Sequence, residues 1–442
     1  MAWSATMIHP TFRHLSVIGD YVGFARVHAR FVLFGFSLAF ISSFGQTFYI
    51  ALFSAEIRAQ FNLSHGGFGE IYSSVTLISG FLLMWLGKKL DDVGLRPYVL
   101  VLMAGLAAGA VAMWGAYSIP VLALSVFLLR FFCQGLLSHA AVTTMARGFP
   151  SGSRGKAVSL AALGDPVGEA LFPIVAVVVI GIIGWRESWL VVAAIALVVM
   201  PPVLYWSLRG RDAKGGEISI QPKRDAGAPT AQEAAPVKVG SDQDWSRRHI
   251  LKDVRFHLAM IAVLGPAFIQ TGIFFHQVRL VEERGWTLAA FVALFAVYAA
   301  GQLVFSIIGG GMVDRIGARR SAHFWIIPMG AGMLGLSLIE NMVGAVLFMV
   351  LCGSAGGLRN VTTAVMWTEL YGTRHLGAIK GMVAGALVVS SALSPAAMGW
   401  AIDRGVTMST IVLFGAIYTF ASGFSLVLAM RIQPTGRGHL PS

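Results

Sequence analysis

Two arginines, Arg130 and Arg359, stand inside long apolar stretches of this chain, and two carboxylates, Asp165 and Glu169, stand four residues apart inside another. A charge near the middle of a bilayer costs about 2.5 to 3.5 kcal/mol on insertion scales, so it persists where it faces a partner or a wet cavity. The guanidinium groups suit capture of an anion. Residues i and i+4 share one helix face, so the two carboxylates share one environment, where each disfavours the other's ionised form, and such a pair suits proton uptake and release.

At 1.5 Å per residue, Arg130 and Glu169 both fall near mid-membrane on adjacent spans running in opposite directions. They could pair, either as a permanent structural ion pair or as a switch in which protonation of Glu169 frees Arg130 for an anion. Asp165 precedes Pro166 and could equally bond backbone groups that the proline leaves free. Arg359 has no acidic neighbour at its depth, which reads as an anion site or as a side chain snorkelling to the surface. His139 and His276 are the other titratable groups in spans, with imidazoles fit either for proton transfer or for hydrogen-bonded packing. Gln46, Tyr49, Gln270, Gln277, Gln302 and Asn360 are expected to line a polar path or to join helices.

Other chemistries lack their residues. There is no cluster with metal-ligand spacing, no phosphate-cradling loop and no nucleophile with a base partner, so no metal, no cofactor and no enzymatic reaction is expected. Of the 442 residues 56% are hydrophobic and 12% charged, half the charged share of about 25% in soluble domains, which places the chain in a membrane. The net charge of +12 is spread over the ends of apolar runs, a topology signal and not a nucleic-acid footprint. Cys133 and Cys352 each fall in a span and read as packing residues. No signal peptide is expected, so the run from Phe31 is kept as a span.

The elements that must position these groups follow from hydropathy. Apolar windows of about 20 residues, enough for a core of about 30 Å, recur twelve times: near 31–53, 69–87, 97–117, 119–146, 157–182, 188–208, 256–277, 287–310, 321–339, 342–367, 378–400 and 406–430. Of 33 Lys and Arg, five (Arg58, Arg186, Arg279, Arg284, Arg404) fall on the side away from the termini and two within spans, so both termini are expected to be cytoplasmic. The division is a cytoplasmic extension over 1–30, a six-helix bundle over 31–208, a solvated linker over 209–255, a second bundle over 256–430 and a tail over 431–442.

Each bundle carries a charged loop between its second and third spans: Gly87-Lys-Lys-Leu-Asp91-Asp92-Val-Gly94-Leu-Arg96 and Gly310-Gly-Met-Val-Asp314-Arg315-Ile-Gly317-Ala-Arg319-Arg320. An offset of 223 superimposes them, and 222 brings Pro173 onto Pro395, so the chain is an internal duplication. The paired loops resemble the signature of the major facilitator superfamily. That resemblance implies an all-α polytopic fold of twelve transmembrane helices in two pseudo-symmetric six-helix bundles. It also implies a conformational latch, in which Asp91 or Asp314 meets a helix N-terminus and the loop cations Arg96, Arg315, Arg319 and Arg320, with Gly87, Gly94, Gly310 and Gly317 allowing the turns. The plainer alternative is a short turn that enforces topology. Arg130 with Gln134-Gly135 is similar to the family's fourth-span element, with one residue more between arginine and glutamine than usual. The strings around Gln46, His276 and Glu369 resemble the monocarboxylate-transporter-like branch.

The expectation is therefore a transporter moving a small organic anion by alternating access, coupled to protons as a symporter. Arg130, Arg359, Gln46, Tyr49, His276, Gln277, Gln302 and Asn360 are expected at the substrate, and Glu169, Asp165 and His139 in proton coupling. The alternatives are proton-driven efflux of hydrophobic or cationic compounds, and a non-transporting sensor or assembly partner. The expected partners are a small anionic solute, protons and the lipid bilayer, with no nucleic acid; the protein is expected to be a monomer in a bacterial-type inner membrane.

Overall fold

The computed structural model describes residues 10–86, 94–210, 247–372 and 375–432. Every regular element among them is helical. Ten helices are long and apolar enough to cross a membrane, from Leu95–Trp114 to Met408–Arg431. The bent pair Gly19–Val27 and Ala29–Gly45 brings the number to eleven, and helix His65–Leu86 fills the place of the second span. Outward faces carry bare apolar groups, Val198 at 69% and Ile307 at 78% exposure, as lipid-facing helices do.

The bundles form because each helix buries one stripe on its neighbours. In the first half, helices Ala29–Ser42, Gly164–Ile183, Leu95–Trp114 and Trp185–Ala194 pack together, and in the second Val254–Phe275 packs on Leu376–Asp403 and Met408–Arg431. Two pairs carry most of the contact between the halves, span 2 with span 11 and span 5 with span 8, and a smaller contact joins spans 1 and 7. Exchange of the halves converts one pair into the other, as the duplication requires.

Three features depart from a bundle of straight rods. Helix Pro10–Val27, within the stretch expected as a cytoplasmic extension, meets the first span at 97°, and its Phe24 ring packs tilted against His28 and Phe149. The first span is not one helix over 31–53; it runs from Ala29 to Phe61 in pieces, with 3-10 turns at Ser43–Gly45 and Ala51–Phe53. Span 4 contains a π-helical stretch, Leu129–Leu137.

Cations away from the termini serve helix ends. Arg186 donates to the carbonyls of Trp114 and Ala116, and Arg284 to those of Leu336 and Ser337, so spans 3 and 9, which are counterparts, end under equivalent guanidinium caps. Arg404 donates to Trp400 O.

Candidate functional site: a polar link between the halves

Arg130 is the second residue of the π-helical stretch of span 4, Leu129–Leu137. A π turn holds one residue more than an α turn, and the surplus residue between Arg130 and Gln134 is accommodated there without displacing the helix that follows. Opposite it, span 1 unwinds at Gln46 (φ −76°, ψ 154°). Gly45 lies so close to the Leu129 carbonyl and the Cys133 side chain that a Cβ would overlap both. The break leaves the Gly45 carbonyl free of helical partners, and Arg130 Nη1 donates to it at 3.1 Å and to Thr47 Oγ1 at 3.4 Å. The guanidinium also lies over the Tyr72 ring, 5.1 Å from its centre, and Tyr72 donates to Thr47 Oγ1 at 2.9 Å. Arg130 is 4% exposed and its Nε is buried without a partner.

The structure does not bring Arg130 and Glu169 into an ion pair. Glu169 turns across the interface, where its Oε2 accepts from Gln302 Nε2 at 2.9 Å. Asp165, one turn away, stays within its own half and accepts from Ser42 Oγ at 3.2 Å, not from backbone near Pro166. Arg130 thus fastens a broken helix, and the switch that frees Arg130 by protonating Glu169 has no basis in this arrangement.

On the second half, Gln302 belongs to a group of polar side chains. Gln270 Nε2 donates to the Tyr298 hydroxyl at 2.6 Å, and that hydroxyl lies within electrostatic reach of both Glu169 and Arg359. Gly356 gives Gln302 room beside span 10, and Arg359 follows three residues later, about 4.5 Å along the axis toward the linker end. The Arg359 guanidinium is part-exposed and makes no hydrogen bond or ion pair with the described residues. Its electrostatic neighbour is the Tyr298 hydroxyl, which also senses Glu169.

The other expected residues lie elsewhere. Tyr49 is packed in an aromatic nest of Phe44, Phe53 and Trp189. Gln46 is half-buried at the break of span 1, without a side-chain cap bond. His139 is exposed beside Thr143 Oγ1, 3.4 Å away, and Asn360 is exposed. His276 and Gln277 sit at the end of the bundle far from the linker, here called the distal end: His276 Nε2 is 3.0 Å from Pro395 O, and Gln277 Nε2 donates to Phe48 O at 2.7 Å.

That distal end is closed. Asp403, on span 11, accepts from the backbone N–H groups of His65 and Gly66 at 3.0 and 2.8 Å, which ties it to the start of span 2. Trp400 Nε1 donates to Glu70 at 2.6 Å and Ala396 N to Ser73 Oγ at 3.3 Å. Gly66, Gly69 and Gly399 permit this approach, since a Cβ at each would meet backbone of the facing span. Sequence reasoning missed this seam; its trace was small residues at Gly66, Gly69 and Gly399 in the two spans. Every hydrogen bond between the halves among the described residues lies from Glu169–Gln302 to the distal surface. On the linker side of Glu169–Gln302 no hydrogen bond among the described residues joins the halves.

At the linker end the latch differs from expectation. Gly87 and Asp91 lie outside the described residues. Asp314, Arg315 and Arg320 are exposed, and Asp314 makes no hydrogen bond or ion pair with the described residues. Gly310 has nothing within 4 Å of the position a Cβ would take, while Gly317 (φ +82°) makes the turn. The helix N-terminus after it is capped by Glu369, which accepts from Ala318 N and Arg319 N at 2.8 and 2.9 Å. Arg319 Nη2 donates to Met430 O at 2.8 Å. Gly94 is the N-cap of span 3, and Arg96 stacks over the Tyr205 ring, 5.2 Å from its centre. The described parts of both loops thus contact their own half, and Glu369, the acid that caps the helix after Gly317, stood unassigned in the sequence motif.

The geometry is that of two helical bundles joined face to face, and comparison supplies the family. The Major Facilitator Superfamily profile matches residues 35–297 and 277–441, and the chain belongs to that family. No curated protein matches its sequence. Among solved structures, a bacterial homologue of the human lysosomal transporter Spinster, inward-facing and unoccupied, superposes with a TM-score of 0.68 at 13% identity, over 91% of this chain and 97% of that one. The occupied form gives 0.61 at 14%, over 92% and 95%. A point mutant of the nucleoside transporter NupG gives 0.63 at 14%, over 92% and 100%. The chain is a transporter and not an enzyme.

Proposed function

We propose that this protein is a proton-coupled symporter for a small organic anion, with Arg359 receiving the anion and Glu169 the proton. The observation that carries this reading is Glu169 bonded across the halves to Gln302 while Arg359 stands without an acidic partner. An anion on Arg359 would place a second negative charge near Glu169 in a water-poor site, where like charges repel strongly. Anion binding therefore favours protonated Glu169, and by linkage protonation favours the anion. In this reading the site is reached from the linker end, which is the cytoplasmic side if the cation-rich loops face inward, in a bacterial-type inner membrane. The protein works as a monomer in this reading.

The test is internal pH in proteoliposomes challenged with small monocarboxylates, dicarboxylates and lipophilic cations, against protein-free liposomes because weak acids cross unaided. Acidification above that control for some anion, lost in both Arg359→Ala and Glu169→Gln, is the expected result. A second reading has one observation in its favour: Glu169 forms no ion pair with a described residue, so a cationic substrate could neutralise it. Proton flux evoked by lipophilic cations alone, surviving Arg359→Ala, would replace symport with efflux.

A further inference from the structure

We propose that the linker end of the first half, on the outer side where spans 1, 3 and 6 meet, is a docking site for anionic phospholipid, with Arg30, Arg96 and Arg209 meeting its phosphate. Span 6 ends between the starts of the other two: helix Met200–Ser207 packs on Ala29–Ser42 and on Leu95–Trp114. The last turn of span 6 buries Leu204 and Ser207 and leaves Tyr205 and Trp206 57% and 43% exposed. Each exposed ring carries a guanidinium from a different neighbour. Arg30 of span 1 lies 5.2 Å from the centre of the Trp206 ring, and Arg96 of span 3 lies 5.2 Å from that of Tyr205. Arg209 follows Trp206 by three residues, and all three arginines are exposed.

A ring face holds a guanidinium without neutralising it, and leaves the N–H groups in the guanidinium plane without acceptors. The sequence has too few acids to supply the missing charge. Segments 1–30, 87–97, 147–156 and 208–212, which enter or leave the spans of this half at the linker end, hold eleven Lys and Arg against four Asp and no Glu. The linker beyond them, 213–252, is itself basic, with seven Lys and Arg against five Asp and Glu. However those acids are shared, positive charge is left over at this rim. Its counter-charge has to come from outside the chain.

The order of residue types along these spans matches a phospholipid read from headgroup to chains. Leu33 is exposed about 4.5 Å deeper than Arg30, and Leu100 and Val101 are exposed about 6 to 7.5 Å deeper than Arg96. On span 6, Val198 and Val199 stand bare about 10 to 12 Å beyond Trp206. Cations at the rim, Trp and Tyr at the interface and bare aliphatic groups below are what the edge of a bilayer selects. A guanidinium laid flat on a ring keeps its planar fork free, and that fork fits two oxygens of a phosphate. Clusters of this kind beside spans at a cytoplasmic face bind anionic headgroups. A lipid anion gains over a dissolved one because its chains cover the aliphatic groups while its phosphate meets the arginines. The face is open to the bilayer, so the lipid needs no enclosed cavity.

The experiment is native mass spectrometry of the purified full-length protein in detergent, titrated with phosphatidylglycerol or with zwitterionic phosphatidylcholine. The variants are Arg30→Gln, Arg96→Gln and, as the control, Arg154→Gln, an exposed cation of span 5 at the same end. Thermal melts without added lipid establish that each variant is folded. Wild type should retain phosphatidylglycerol saturably and in preference to phosphatidylcholine. The apparent Kd should rise about tenfold in Arg30→Gln and in Arg96→Gln, the loss of one charge-assisted contact each, and stay near the wild-type value in Arg154→Gln. Arg30→Lys, which keeps the charge and loses the planar fork, should fall between wild type and Arg30→Gln. Equal retention of the two lipids overturns the proposal. So does equal weakening in Arg154→Gln, since diffuse charge then suffices, and so does competition by glycerol 3-phosphate at the lipid's own concentration, since the ligand is then a dissolved phosphate.

Discussion

Gly69→Ala should open the distal seam. The added methyl would lie 2.7 Å from the Pro395 carbonyl carbon and 2.9 Å from Ala396 Cα, where apolar contacts prefer about 3.5 to 4.0 Å. The opposing atoms are backbone, so no side chain can swing away, and span 2 must withdraw from span 11 by about 1 Å. Overpacking of this kind costs about 1 to 3 kcal/mol. The gain of about 1 kcal/mol in helix propensity from Gly to Ala applies to span 2 in the open and closed states alike and cancels. Taking the middle of the range, the open-seam population rises about thirtyfold. The assay is labelling of Ser73→Cys by a membrane-impermeant thiol reagent: Ser73 is buried in the seam, where its hydroxyl accepts from Ala396 N. The native Cys133 and Cys352 are fully buried and provide the background. When opening is rare and fast, labelling follows the open fraction and should accelerate by the same factor. Gly310→Ala is the control, because a methyl there meets nothing within 4 Å. An unchanged rate in a folded Gly69→Ala protein, or equal acceleration in both variants, would refute the view that this seam gates the distal side.

Two further outcomes follow from the hydrogen bonds. Arg130→Gln should lower the thermal stability of the solubilised protein by about 1.5 to 3 kcal/mol, the usual worth of bonds to a charged group, because Gly45 O loses its donor while Thr47 keeps only Tyr72; a variant of unchanged stability that no longer binds substrate would return Arg130 to the anion site. Glu369→Ala should cost about 0.5 to 2 kcal/mol, as loss of an N-cap does, whereas Asp314→Ala, at an exposed position, should stay within about 0.5 kcal/mol. Thermal melts of the two variants side by side check this, and the reverse order would restore the cap to Asp314.

The fold was legible in the sequence because the signals that specify it are long and repeated. Twenty-residue apolar windows, a polar linker and an offset of 222 to 223 residues do not depend on any single contact. The partner of Arg130 was not legible, for a physical reason. A guanidinium at mid-membrane advertises its need for an acceptor, and sequence reasoning looks for that acceptor among acidic side chains. Here the acceptor is a backbone carbonyl, which every residue possesses and no residue type reveals. Only the break at Gly45–Gln46 exposes it, and span 1 reads as an unbroken apolar run. The surplus residue before Gln134 was visible, but the sequence could not say that a π turn would absorb it. Glu369 shows the same limit in a milder form, since both it and Asp314 lie at the linker end near the turn at Gly317 and depth alone does not tell which one faces the helix N-terminus there.

The duplication also sharpens what the polar link means. Under the offsets of 222 and 223, Glu169 corresponds to Ser391 and Gln302 to Ser79, so the seam between spans 2 and 11 could have carried a matching pair. It does not. Ser79 Oγ donates to Thr76 O at 2.9 Å and Ser391 Oγ to Val388 O at 3.1 Å, each spending its hydrogen on its own helix. Between them Gly80 approaches the Val388 side chain. One seam is thus packed through glycine at the level where its twin holds a carboxylate. A symmetric motion of two such halves would strain both seams equally, but a change in the charge of Glu169 acts on one alone. If protonation drives the cycle, its first mechanical effect falls between spans 5 and 8, and the glycine seam follows as the passive hinge.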